Sequence, residues 1–276
     1  MASATSDTRI EAGSGVRLVA HTITSRHASA RMRPLVLLSH PATVFGGQGS
    51  MMRGIAQHLA DQCGLDAVWF DHRGAGQSTG SATWAGWAEV EDLTALVAAF
   101  CAEGQPHRSC VIVGSSGLAP AAGTAASSLE AVAAYVGIGY TCGLLCSVLW
   151  RSHYQRLAGS SKPKLFIHGS RDEHSSVGQV KGWFASSPGF NMHVVDGVGH
   201  YALESSRWDA HVADAIAGFV TSQVSQNGWM AAEKRSQGWN SNPKEPISST
   251  SVCLAPYPVI DSPWYRARPF PNVAFP

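Results

Sequence analysis

The chain has 276 residues, with 20 Lys and Arg against 19 Asp and Glu, a formal net charge of +1. That balance removes the electrostatic argument for a nucleic-acid binder, which needs a basic face, and 45% hydrophobic against 14% charged residues excludes a wholly disordered chain. The 28 glycines follow no triplet period, which excludes a collagen-like repeat.

Asp7 and Glu11 interrupt the N-terminal region, and no continuous apolar stretch gives it the core of a secretory signal. Its Ala, Ser and Arg content up to Arg33 suits a plastid transit peptide, but the two acids count against one, and a cytoplasmic location is expected. Residues 1–33 are expected to form an N-terminal segment with one edge strand over Val16 to Thr24.

From residue 34 onward, short apolar runs alternate with helical spacing. Pro34 to His40 predicts a strand buried on both faces. Gly49 to Gln62 predicts a helix through Met52, Ile55, Ala56 and Leu59. A strand over Leu65 to Phe70 and a helix over Trp84 to Cys101 follow, with Glu89, Glu91 and Asp92 as a solvated helix start. Strands are next expected at Cys110 to Val113, Val132 to Ile138, Lys164 to His168 and Asn191 to Val195. Helices are expected at Ala119 to Ser128, Val177 to Phe184 and Trp208 to Val220. This alternation predicts a three-layer, doubly wound, mostly parallel sheet over residues 34–222.

The uncharged run Ala131 to Trp150 is long enough to span a bilayer, but its glycines, Tyr140, Thr141 and Ser147 divide it into a strand and a loop. No membrane span is expected. The stretch from Tyr140 to Ser161 is too short for a large lid, so only a minimal cap is expected, with Leu144, Leu145, Val148, Leu149 and Trp150 as a small apolar flap. Cys63, Cys101, Cys110, Cys142, Cys146 and Cys253 read as reduced, buried thiols rather than a disulfide framework or a metal site. Residues 223–276, rich in Ser, Asn, Gln and Pro with no sustained period, read as a disordered tail.

Four loops at strand carboxyl ends carry residues able to do chemistry. The first, His40-Pro41-Ala42 with Gly46-Gly47, can turn backbone N–H groups toward an oxyanion, and the donors expected are the amides of Ala42 and Gly117. Gly114-Ser115-Ser116-Gly117-Leu118 offers a Ser on a strand-to-helix turn, but neither register completes Gly-x-Ser-x-Gly, so Ser115 and Ser116 both remain candidates. Asp172, after the strand ending at His168, can orient a histidine. His200, flanked by Gly199, can take and return a proton. Taken singly, a serine or Asp172 at such a position could simply cap the following helix, and His200 could be an ordinary loop residue.

With these motifs in order, and with Asp71-His72-Arg73-Gly74-Ala75-Gly76-Gln77-Ser78 between them, the chain resembles the α/β-hydrolase superfamily. It is most similar to a small cap-less branch of serine-aminopeptidase-like proteins in bacteria and plants. The resemblance covers roughly residues 34–222. It implies Ser116 as nucleophile, Asp172 as acid and His200 as base, in the chain order of that fold's triad. Leu118 departs from the family, where a glycine is usual. The turn from Asp71 to Ser78 is expected to be structural, with Asp71 and Arg73 fixing it and His72 at the surface.

The expected activity is hydrolysis of an ester, thioester or small amide, with a small-molecule acyl substrate. No metal or organic cofactor and no nucleic-acid partner are expected. The alternatives are a catalytically inactive relative kept as a binding or scaffold protein, and a peptidase removing short N-terminal units.

Overall fold

The computed structural model describes residues 4–26 and 33–227. Strands β1 (Ala4–Glu11) and β2 (Arg17–Thr24) form a hairpin and are followed by β3 (Leu35–Ser39), helix α1 (Arg53–Asp61), β4 (Ala67–Asp71) and α2 (Trp87–Cys101). Next come β5 (Cys110–Ser115), α3 (Ala119–Ser128), β6 (Val132–Ile138), α4 (Leu144–Leu149), α5 (Arg151–Gly159) and β7 (Lys164–Gly169). The chain continues through α6 (Val177–Phe184), β8 (Phe190–Val195), α7 (His200–Leu203) and α8 (Asp209–Asn227).

The eight strands form one sheet in the order β1-β2-β4-β3-β5-β6-β7-β8. β2 pairs antiparallel with β1 and with β4, and every other pair is parallel. The central strands are apolar on both faces because both are covered. Leu35, Leu37, Cys110 and Ile112 join the core under α2, α3, α5 and α6, whereas Val36, Leu38, Val111 and Val113 join the core under α1 and α8. The expected three-layer sheet is therefore the one observed.

Several local readings are corrected. The strand at Val16 to Thr24 is not the edge, because β1 lies outside it. Of the β1 residues only Ile10 is buried, so no alternating apolar pattern announces that strand. The stretch after β6 is not a plain loop but carries α4 and α5, in which Val148 and Leu149 are exposed and Trp150 is buried. The side chains of Leu144 and Leu145, together with residues 228–276 and Cys253, lie outside the described residues. The first turn of the helix expected from Gly49 is a separate 3-10 turn, Gly49–Met52. α8 runs past Val220 to Asn227.

Glu89 and Asp92 are buried rather than solvated. Asp92 accepts two 2.7 Å bonds from the Arg73 guanidinium, and Glu89 accepts from the backbone N–H and hydroxyl of Thr83. Arg73 thus fixes the turn by anchoring it to α2. Asp71 does hold that turn, accepting from the N–H of Gly49 and of Gln77 at 3.1 Å each. His72 is fully buried, with Nε2 2.8 Å from Ser39 Oγ. Among the described cysteines all five are free, but only Cys110 and Cys142 are buried, the others being half-buried. Among the described residues no helix is long and apolar enough to cross a membrane.

Candidate active site

The site is assembled where β5, β7 and β8 end. β5 runs extended to Ser115, and the chain then turns sharply, Ser116 adopting φ +52°, the sole non-glycine residue with positive φ among those described. A side chain on that turn projects above the sheet edge. The turn leads through a 3-10 segment (Ser116–Leu118) into α3, whose Ala-rich inner face packs closely on β5. A Cβ at Gly114 would stand 2.6 Å from Ala122 Cβ and 2.8 Å from Ala119 Cα, so glycine is required behind the turn. The Leu118 side chain, two residues beyond the turn, is buried in a small satellite cluster with Ala42 and Ala121. Neither serine caps α3.

Ser116 Oγ lies 2.7 Å from Nε2 of His200, and Nδ1 of that imidazole lies 2.7 Å from Oδ2 of Asp172. Ser115 is fully buried and its hydroxyl meets no partner. Asp172 is itself fixed through Oδ1, which accepts from the N–H groups of His174 (2.9 Å) and Ser175 (2.8 Å). It does not cap α6, since Ser176 and Gln179 form a reciprocal capping box there. Burial pushes the Asp172 carboxyl up, but the bond and charge of His200, with the Ser175 N–H, hold it below the ordinary carboxylate value. Burial would lower His200. The bond and charge of Asp172 outweigh that, with help from Glu204 and Glu173, and the imidazole is raised above its ordinary value.

Two acids that the motifs did not single out hold His200 from other sides. Glu173 accepts from the His200 backbone N–H at 2.8 Å. Glu204, one helical turn beyond His200, sets Oε1 3.5 Å from Nε2, and burial raises its carboxyl above the ordinary value. The i to i+4 spacing was the available signal for Glu204. Beneath the ring, Gly139 at φ +53° brings the end of β6 close. A Cβ there would stand 3.2 Å from His200 Cε1.

The loop after β3 approaches from the other side. Ala42 accepts from the N–H groups of Phe45 (3.0 Å) and Gly47 (3.2 Å), and a Cβ on Gly117 would meet the Ala42 Cβ at 3.2 Å, so the two residues lie side by side. Below them His40 accepts the His72 N–H at Nε2 (3.0 Å) and donates from Nδ1 to Pro41 O (2.6 Å). Burial holds His40 at about 4, so it is a neutral structural pin.

Among the described residues one grouping has metal-ligand character, His58, Cys63 and Asp214 between α1 and α8. Its members already satisfy one another. Nε2 of His58 lies 2.8 Å from Asp214 Oδ1, and the Cys63 thiol donates to the same oxygen at 3.6 Å. Burial and then the Asp214 charge raise that thiol to about 11, so it is not a ready thiolate at neutral pH.

No protein-family model matches the chain, and no curated protein sequence does. Many solved structures match it. A serine hydrolase homologue from Coxiella burnetii superposes with a TM-score of 0.62 at 22% identity, covering 75% of this chain and 96% of that one. An esterase from Pyrococcus furiosus gives 0.63 at 18% identity, covering 79% and 92%. A serine hydrolase from Xanthomonas campestris, described as lacking a lid, gives 0.61 at 20% identity, covering 80% and 94%. Together with the sheet order and its two covering layers, these likenesses establish that the chain has the α/β-hydrolase fold.

Proposed function

We propose that the chain is a serine hydrolase that transfers the acyl group of an ester, thioester or small amide to water. Ser116 is the nucleophile, His200 the base and then the acid, and Asp172 the group that orients the imidazole and stabilises its protonated form. The observation that carries this reading is the 2.7 Å approach of Ser116 Oγ to His200 Nε2, continued at 2.7 Å from Nδ1 to Asp172.

In the first half-reaction the Ser116 oxygen bonds to the carbonyl carbon while its proton passes to Nε2 of His200. The carbonyl π pair moves onto oxygen, and the backbone N–H groups of Ala42 and Gly117 receive that charge. The adjacency of these two residues supports their shared role. Collapse of the adduct breaks the bond to the leaving group, which takes the proton from Nε2. Water then attacks the acyl-serine and gives its proton to His200. The second collapse releases the carboxylic acid and restores the Ser116 hydroxyl. The raised pKa of His200 suits a ring that must hold a proton between the two steps. The α4–α5 segment is too short for a large lid, which favours small or exposed acyl groups.

A fluorophosphonate probe tests the reading. Labelling of the folded wild type that is lost in Ser116→Ala and kept in Ser115→Ala is the expected result. The reverse pattern moves the nucleophile by one residue, and an unlabelled folded wild type favours a binding or scaffold role.

A further inference from the structure

We propose that Phe45 and Trp84, backed by the buried Trp150, form an aromatic ledge that receives the acyl substituent of the substrate and selects apolar acyl groups, aryl or short aliphatic. This rests on Ser116 being the nucleophile and says what that site takes.

Large apolar side chains are rarely left exposed in groups on a monomer unless the surface binds something. Phe45 is 71% exposed and Trp84 61% exposed, and their rings meet edge to face with centroids 5.7 Å apart. Other exposed aromatic residues have partners that account for them. Trp87 packs on His153 with ring centroids 4.2 Å apart and faces the Arg156 guanidinium, and Tyr201 OH lies 2.9 Å from His174 Nε2. Phe45 and Trp84 have no polar reason to stand where they do.

Their position is next to the chemistry. From the point where a Cβ on Gly117 would stand, the Trp150 ring is 3.6 Å away and the Phe45 ring 3.9 Å. Gly117 follows the nucleophile and is one of the two amides proposed to hold the oxyanion. The leaving group must face Nε2 of His200 to collect its proton. The ledge borders the oxyanion donors instead, so the part of the substrate that reaches it is the acyl substituent.

The back of the ledge, Trp150 and the backbone at residues 84 and 85, is held in place. Trp150 donates from Nε1 to Trp84 O at 2.9 Å, and Nε2 of His153 lies 2.8 Å from Ala85 O while its Nδ1 lies 2.7 Å from Thr124 Oγ1. Burial lowers His153, so it stays neutral with one nitrogen donating and the other accepting. An aromatic surface pinned from behind loses little freedom when a ligand covers it.

The test is an acyl series on one leaving group, 4-nitrophenyl acetate, hexanoate and benzoate, with Ser116 labelling followed in parallel. In the wild type kcat/KM rises from acetate to hexanoate and benzoate. Phe45→Ala and Trp84→Ala each cut the hexanoate-to-acetate ratio of kcat/KM about tenfold, the loss expected when one apolar contact surface is removed. Val194→Ala, exposed on β8, leaves the ratio unchanged. A flat series with Ser116 still labelled overturns the ledge alone. A flat series in which the wild type floats with phosphatidylcholine vesicles and Trp84→Ala does not also overturns it, reassigning the patch to a lipid surface. Loss of both labelling and turnover in the folded wild type overturns the nucleophile and the ledge with it.

Discussion

Glu204 holds its carboxylate oxygen Oε1 3.5 Å from Nε2 of His200, the nitrogen that also meets Ser116, in a side chain only 9% exposed. The imidazole therefore has a carboxylate on each side, Asp172 at Nδ1 and Glu204 at Nε2. Two negative neighbours favour the charged ring more than one does.

The pH dependence follows from that arrangement. The proposed mechanism requires neutral His200, so activity is expected to fall as pH drops through the raised pKa of the imidazole. Glu204→Gln removes one of the charges that raise it. The acid limb of the kcat/KM profile is then expected to move to lower pH, with Ser116 still labelled by the fluorophosphonate. A limb that stays in place or moves up would remove Glu204 from the electrostatics of the ring.

Gly139 offers a steric test of the same ring. Alanine there meets the His200 Cε1 at 3.2 Å and must also adopt φ +53°. Displacing the imidazole by a fraction of an ångström lengthens its contact with Ser116, and a drop of about 10²-fold in kcat/KM is expected with the circular dichroism spectrum unchanged.

Leu118 is a packing residue and not a defect of the turn. Leu118→Gly empties its cluster with Ala42 and Ala121. It should destabilise the fold by about 2–5 kcal/mol, read as a shift of the urea midpoint, without raising activity.

His107 couples stability to pH away from the site. Its Nδ1 lies 3.0 Å from Arg33 O and its Nε2 2.9 Å from Asp66, so the doubly protonated ring satisfies both acceptors. Burial would lower its pKa, but the Asp66 bond, the Arg33 carbonyl and the Asp66 charge outweigh this and raise it. The contribution to stability is complete below the unfolded imidazole value and is lost as pH rises through the raised folded one. Urea midpoints at pH 5.5 and 8.5 should differ more for the wild type than for His107→Gln.

The central strands were legible because a strand covered on both faces must be apolar at consecutive positions, as Leu35 to Leu38 is. β1 was not legible, since its one buried residue, Ile10, makes no pattern. α5 escaped notice because it buries only His153, Tyr154 and Leu157 along a polar helix. The misread polar residues share a cause. His72 finds Ser39 and Asp92 finds Arg73 across long stretches of chain, and local spacing carries no trace of such partners. At the site, Ser116, Asp172 and His200 could be singled out because each lies in a loop or turn that follows a strand. Which of two adjacent serines faces the imidazole depends on the backbone turn at 116; motif spacing left both open, and the resemblance alone pointed to Ser116.

The left-handed backbone at Ser116 sets stability and reach against each other at one position. A side chain other than glycine's costs roughly 1–2 kcal/mol in that conformation, so Ser116→Gly relieves the fold while deleting the hydroxyl. Selection for thermal endurance alone would replace this serine with glycine, and its presence marks the turn as a place where the molecule tolerates discomfort to keep an oxygen aimed outward.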